Sequence, residues 1–461
     1  MKIIIKVLKF ILLAIVLTNT AYSQSPLVRS SLFSMTDVES NSKSIVRSYK
    51  PAAMLIASSY SATNQASMFT FIKNSTPINY VPLPYGYTIN DFVILDSCIY
   101  FCGKNSVNNC GYIGMFDIPN PYQIMGGYRL FNIDSASNLT KLVAFNEPLP
   151  SISVVAIGMP KNSSFTSCVV DLNNYSNSSN NGWKYSYGHI TGEEITDICD
   201  ASTDLLITVG KPKAVSSGNG MVALPSKLYL RTYKKAGVLI SGMENERREY
   251  SITALPSNNS GFLLEPIDGG DIAVAWVQTF GKYTSATYFL DILRININSL
   301  HIYYEQTITL SEEYLGGLVE LEYFPNTTKL GVVLNKGNNI GELILADISQ
   351  IADYAASKLW HKDYLLNSIT HANNDNFALT CKSPLLQKSP HLLILHENLN
   401  TFSESNCTTD ETIQAKVNET SLNSSTQVNS FTTYSKDATS TFIVPSIEET
   451  DVEIHCANYY K

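Results

Sequence analysis

An all-β fold assembled from a repeated antiparallel unit is what this sequence predicts, and three observations carry the prediction. Short apolar runs rich in Val, Ile, Tyr and Phe recur along the chain, bounded by Gly, Asn, Asp and Ser. That is the composition of strands and turns. The runs come in neighbouring pairs, and the pairs recur at intervals of 45 to 67 residues.

The clearest unit is DFVILDSCIYFCGKNSVNNCGYIGMFDI, residues 91–118. It reads as a strand through Cys98–Cys102, an Asn-rich turn and a second strand through Gly111–Ile118, the pattern of a β-hairpin. Cys98 and Cys102 are four apart and so face one side of their strand. Cys102 and Cys110 flank the turn and are the expected disulfide in this unit. The glycine closing IYFCG is expected to serve a sharp turn by adopting positive φ.

Equivalent first phrases are MLIASS (54–59), VVAIG (154–158), LLITVG (205–210), IAVAWV (272–277), LGVVLN (330–335) and FALTC (377–381). Their partners are MFTFIK, SCVVDL, KLYLRTY, TYFLDILRI, GELILADI and HLLILHENL. Several units also carry a preceding strand: FVILD, LVAFN, ITDICD, ITALPS, LVELEYF and NSITHAN. Anchoring the units at Ile56, Phe101, Ala156, Thr208, Ala275, Val333 and Leu379 gives seven repeats. A single small sheet cannot bury both of its faces; stacking around a closed ring buries both. The expected architecture is therefore a seven-bladed β-propeller of three- to four-stranded blades. Two successive β-sandwiches would use strands of the same length.

In this strand rhythm, residues 50–400 resemble the seven-bladed propellers of WD40-like and quinoprotein-like type. The signatures of individual families do not occur. There is no Gly-His…Trp-Asp pair, no recurrent Ser-x-Asp-x-Gly-x-x-Trp box, and only Trp183, Trp276 and Trp360 in place of a tryptophan repeat. The resemblance thus implies a fold and transfers no functional residue.

The ends read differently. Lys2, Lys6 and Lys9 precede an apolar run over 10–17, followed by Ala21-Tyr22-Ser23. That is the layout of a cleaved secretory signal over 1–23, with the mature chain starting at Gln24. The run is too short to span a bilayer, which needs about 20 residues, and no later stretch is apolar for long enough. The expected location is secreted, periplasmic or cell-surface. Residues 24–400 form the expected propeller, within which VRSSLFSM is placed to lend a strand to the last blade. Residues 401–461 are rich in Thr and Ser. They are expected to form a small β-rich extension or ring-closing strands, stapled by Cys407 and Cys456.

Composition excludes several functions. The formal net charge is −8, and charged residues make up 16% of the chain, against about 25% in an average soluble protein. No basic run suits a phosphate backbone, so a nucleic-acid partner is not expected. The seven histidines fall in no metal-binding spacing. Asp171 and Asn173 begin a calcium-loop pattern that fails at Tyr175. No serine elbow or phosphate loop occurs. No catalytic residue, metal or cofactor is assigned. If the chain acts on polysaccharide, Glu320 and Glu322 are the carboxylate pair on one strand face.

Tyrosine is the suggestive excess, at 27 residues. VPLPYGYTINDF, NPYQIMGGYRL and GWKYSYGH place Tyr85, Tyr87, Tyr122, Tyr128, Trp183, Tyr185 and Tyr187 in expected loops. Aromatic rings there suit sugars or peptides. The expected function is a secreted, non-enzymatic protein that binds an extracellular protein or glycan through a propeller loop face. The alternatives are a polysaccharide hydrolase or lyase and a surface assembly component.

Overall fold

The computed structural model describes residues 31–34, 44–49, 54–61, 65–73, 76–118, 127–146, 152–177, 180–213, 226–235, 245–252, 256, 261–280, 287–310, 318–336, 341–348, 354–360, 365–371, 377–382, 390–395, 408–418, 424–429, 433–437 and 440–443. Among them every regular element is a strand.

After β1 (Ser31–Ser34) the chain makes consecutive antiparallel meanders. The first is β2 (Ile45–Tyr49), β3 (Met54–Ser61), β4 (Ala66–Lys73) and β5 (Thr76–Pro82). Next come β6 (Tyr87–Leu95), β7 (Cys98–Asn105), β8 (Cys110–Asp117) and β9 (Tyr128–Ile133). Then follow β10 (Ala136–Asn146), β11 (Ile152–Pro160), β12 (Ser167–Asn177) and β13 (Asn180–Ile190). The chain continues through β14 (Glu193–Asp200), β15 (Leu205–Pro212), β16 (Lys227–Lys234) and β17 (Asn245–Ser251). Beyond them lie β18 (Leu263–Ile267), β19 (Asp271–Phe280), β20 (Thr287–Asn296) and β21 (Ile302–Leu310). After these run β22 (Leu318–Phe324), β23 (Lys329–Asn335), β24 (Gly341–Asp347) and β25 (Tyr354–Trp360). Last are β26 (Leu365–His371), β27 (Phe377–Lys382) and β28 (Pro390–Leu395).

The fold is a β-propeller. The first strand of each meander touches the first strand of the next, from β2 through β6, β10, β14, β18 and β22 to β26, and β26 returns to β2. The paired phrases are the central hairpins of the meanders, from β3–β4 to β27–β28. Apolar clusters fill the seams, each formed mainly by facing sides of adjacent sheets. β1 pairs with β28, so the N-terminal strand completes the last sheet. In the unit expected to begin with ITALPS, the first strand is instead LLEPI, β18.

The C-terminal segment forms no separate unit among the described residues. It runs backwards around the rim as β29 (Thr408–Asn418), β30 (Ser424–Asn429), β31 (Thr433–Asp437) and β32 (Ser440–Ile443). β30 adds to β17, β31 to β13 and β32 to β9. β29 bonds to both β21 and β25. The described strands form six hydrogen-bonded sheets, not the seven expected, and the one containing β29 has nine strands. Outer strands present unpaired N–H and C=O groups, which the added strands satisfy. β5 has no such cover among the described strands, and it carries Pro77, Pro82 and the extra residue of a register slip, Ile78. Prolines and bulges blunt an edge by themselves.

Two local expectations are corrected. The glycine of IYFCG is not a turn residue: Gly103 lies within β7, opposite Ile89, beside a bulge at Asn90. Its Cβ would fall on the carbonyl oxygen of Thr88. Gly158 and Gly210 face the bulges at Thr140 and Thr196 in the same way. Close backbone approach, not positive φ, requires glycine at these sites. The Cys102–Cys110 bridge does not form; neither cysteine is in a disulfide. Cys102 stands opposite Ile113 and Cys110 opposite Asn105. Residues 102 and 105 are an odd number apart, so the two thiols lie on opposite sheet faces. Cys98 and Cys102 do share a face, packed with Tyr100. Cys407 and Cys456 lie outside the described residues, as do the signal segment and Tyr122.

Candidate functional site

The first strands line the centre of the ring, and they share a three-residue pattern. Ile89-Asn90-Asp91, Leu139-Thr140-Lys141, Ile195-Thr196-Asp197, Leu318-Val319-Glu320 and Leu366-Asn367-Ser368 each contain a register slip at the middle residue. Ile45-Val46-Arg47 and Leu263-Leu264-Glu265 hold the same places without the slip. The extra residue of a bulge turns away from the ladder and is free to bond elsewhere. Accordingly Asn90 Nδ2 donates to the Leu139 carbonyl, Thr196 Oγ1 to the Phe262 carbonyl and Asn367 Nδ2 to Ser44 Oγ, each in, or one residue before, the next first strand.

The third residue of the pattern accepts in return. The N–H of Leu142 donates to Asp91 Oδ2 (3.1 Å), that of Leu264 to Asp197 Oδ2 (2.9 Å) and that of Tyr323 to Glu265 Oε1 (3.1 Å). Ile369 N–H donates to Glu320 Oε2 (3.1 Å) and Val46 N–H to Ser368 Oγ (3.3 Å). Each bond joins one first strand to the next. Two cations complete the ring. Arg47 reaches Asp91 at 3.2 Å and Glu320 at 2.8 Å, and Lys141 lies 3.8 Å from Asp197.

Burial opposes the charge on Arg47, but Glu320, Asp91 and Glu322 outweigh it, and its pKa lies above the ordinary arginine value. Lys141 behaves alike, with burial outweighed by Asp197, Asp91 and Glu320. Burial raises the Asp197 carboxyl, and Lys141 with the N–H groups of Leu264 and Ile198 opposes that rise. Burial, and then Glu322, push the Glu265 carboxyl well above its ordinary value, opposed by the N–H of Tyr323 and by Arg47. Among the described residues no group of three or more His, Cys, Asp and Glu is placed to hold a metal ion.

The structure brings Glu320 and Glu322 to one face, and both hold β26 in place. Glu320 takes Ile369 N–H and Arg47, and Glu322 Oε1 takes His371 N–H at 2.7 Å.

The aromatic candidates fall into three places. Tyr87 and Tyr128 belong with Tyr112 in the seam between the β2–β5 and β6–β9 sheets. Tyr87 donates to Asn132 Oδ1, Tyr112 to the Thr88 carbonyl and Tyr128 to the Pro82 carbonyl. Trp183, Tyr185 and Tyr187 form a row along β13, with Trp183 5.4 Å from Phe131 and Tyr187 5.3 Å from His189. Tyr185 is buried and its neighbours half-buried. Tyr85 stands apart, 63% exposed, beside Val107 at 62%. Ser106 N–H donates to the Gly86 carbonyl and ties the two turns together, and Gly86 N–H donates to the Gln65 carbonyl in the turn between β3 and β4. Asn105 Oδ1 accepts from the N–H groups of Val107 and Asn108, which stiffens the second turn.

One buried acid lies outside the ring. Asp291, on β20 opposite Trp276, takes a 2.8 Å bond from Thr307 Oγ1, while its Oδ2 has no partner among the described residues. Burial, with a smaller push from Glu305, raises its pKa to about 7. A carboxyl raised on folding stabilises the fold at low pH and loses that contribution as pH rises through the folded value. Asp291→Asn is therefore expected to raise the melting temperature above pH 7, by on the order of 2 kcal/mol of stability. The gain should shrink at about pH 5, where Asp291 is protonated; calorimetry of both proteins at the two pH values checks it.

The repeated aliphatic–x–polar tripeptide was readable in the sequence. Its polar position lies one strand before the phrases that mark the repeat, outside the most regular part of each unit.

No protein-family model matches the chain, and no curated protein matches it.

Proposed function

We propose that the chain is an exported, non-enzymatic interaction protein that meets an extracellular protein or glycan through one loop face of its propeller. The observation that carries this reading is the use made of the central charges. Asp91, Asp197, Glu265 and Glu320 each hold a backbone N–H of the next first strand. Carboxylates committed in this way are poor acids or bases for a substrate, whose arrival would break the ring. The loop face instead offers Tyr85 and Val107 on stiffened turns, and a rigid apolar contact loses little entropy on binding.

We read the nine-stranded sheet as two blades joined at the rim by β29, which makes a ring of seven. The unbroken circuit of first strands supports this, since β18 and β22 hold the same places in it as the other first strands. Export rests on the lysine-flanked apolar run and small-residue site of residues 1–23.

A glycan array probed with the chain from Gln24, scored for retention and cleavage, tests the function. Retention without cleavage is the expected outcome, and Tyr85→Ser with Val107→Ser should reduce it roughly tenfold at unchanged melting temperature. Cleavage would overturn the non-enzymatic reading. A blank array followed by no retention on extracellular proteins would overturn the binding reading.

A further inference from the structure

Three polar side chains of the β18–β21 meander enter the interior of one seam on the same sheet face. Trp276 and Gln278 lie two residues apart on β19 and so point to one side. Asp291 on β20 stands directly opposite Trp276, and residues opposite each other in an antiparallel pair share a face. That face packs on the β14–β17 sheet, because Trp276 and Leu293 belong to one apolar cluster with Val209, Leu228 and Leu230. Trp276, Gln278 and Asp291 are buried, at 1%, 5% and 0% exposure. Each nevertheless has a polar atom with no hydrogen-bond partner among the described residues: Trp276 Nε1, Gln278 Oε1 and Asp291 Oδ2. Thr307 Oγ1 already donates to Asp291 Oδ1. Across the seam, Tyr250 and Arg248 donate to the carbonyls of Leu300 and Ser299, and Val209, Leu228 and Leu230 have no polar side-chain atom to offer.

We propose that this seam contains a built site for one ordered water molecule, which accepts the Trp276 Nε1–H and donates its two protons to Gln278 Oε1 and Asp291 Oδ2. Buried polar groups are bonded to protein or to ordered water in nearly every case. The unmet set here is one donor and two acceptors: an indole nitrogen only donates, while an amide oxygen and a carboxylate oxygen accept. Water is the smallest molecule that answers all three, and about three bonds are the usual complement of a buried one. A metal ion would take the two oxygens but would leave the indole N–H directed at a positive charge. The water ties β19 to β20 through their side chains, on a face where the opposing sheet is mostly apolar.

Magnetic resonance of the full chain with nitrogen-labelled tryptophan tests the site. Only Trp183, Trp276 and Trp360 contribute indole N–H signals, and Trp276→Phe identifies the one at issue. That signal should show a cross-relaxation peak to water of the sign given by a long-lived bound molecule. Replacing both acceptors, Gln278→Leu with Asp291→Leu, should abolish the peak. Its absence in the unaltered chain, or its survival in the double variant, overturns the proposal. Where the double variant does not fold, a crystal structure of the unaltered chain decides. A density peak within about 3.2 Å of all three atoms is expected. A direct bond between any two of the three side chains, or no peak between them, overturns the site.

Discussion

Arg47→Met is expected to lower the unfolding free energy by about 3–5 kcal/mol, the cost of leaving buried charges without their partner. The size follows from what Arg47 holds. Its guanidinium reaches Asp91 on β6 and Glu320 on β22, and it donates to Ser368 Oγ on β26 between them. Both acids are almost fully buried, at 3% and 5% exposure. Methionine keeps much of the volume and removes the charge, so cavity effects stay small. Adding Asp91→Asn and Glu320→Gln should recover a large part of the loss, because the stranded charges are then gone. Urea denaturation of the single and triple variants measures both steps. A loss below about 1 kcal/mol would show that the ring is not held by this ion pair.

Gly103→Ala is expected to cost about 3 kcal/mol, the upper end of the usual overpacking range. The added Cβ would meet the backbone carbonyl of Thr88, which cannot move without disturbing the Asn90 bulge. That bulge aims Asn90 and Asp91 at the next sheet. The damage should therefore spread to the β6–β10 seam, read as loss of amide protection at Leu142. Gly182→Ala is the control. Nothing lies within 4 Å of the added atom, and such a change at a compatible position stabilises by about 0.4–1 kcal/mol. If both substitutions had equal effects in thermal unfolding, close approach would not be the reason for glycine at 103.

The hairpins were legible because they are local. In β7–β8 the alternation of CIYFCGKN against CGYIGMFD and the Asn-rich turn between them determine pairing within twenty residues. The tyrosines were less legible. Tyr85 was expected in a loop and is exposed there. GWKYSYGH carries glycines and polar residues that resemble turn signals, yet it forms most of β13. The cysteine pair failed for a related reason. Proximity in sequence across a turn says nothing of sheet face until the register is known, and here the register places the two thiols back to back.

The sequence by itself determined the all-β class, the central hairpins of the repeat and the strand lent by the N-terminus to the last sheet. These follow from short-range periodicity and turn chemistry, which act between residues close in the chain. Only the tertiary structure decided which polar residues meet at the centre, where the C-terminal strands lie and how the strands divide into hydrogen-bonded sheets. Val46 bonds Ser368 across 322 residues of chain, and Ile369 bonds Glu320 across 49. Contacts of that span come into being when the ring closes and carry no local signature. The charge ring that ties the first strands together is therefore written in seven separate tripeptides and becomes one object only in three dimensions.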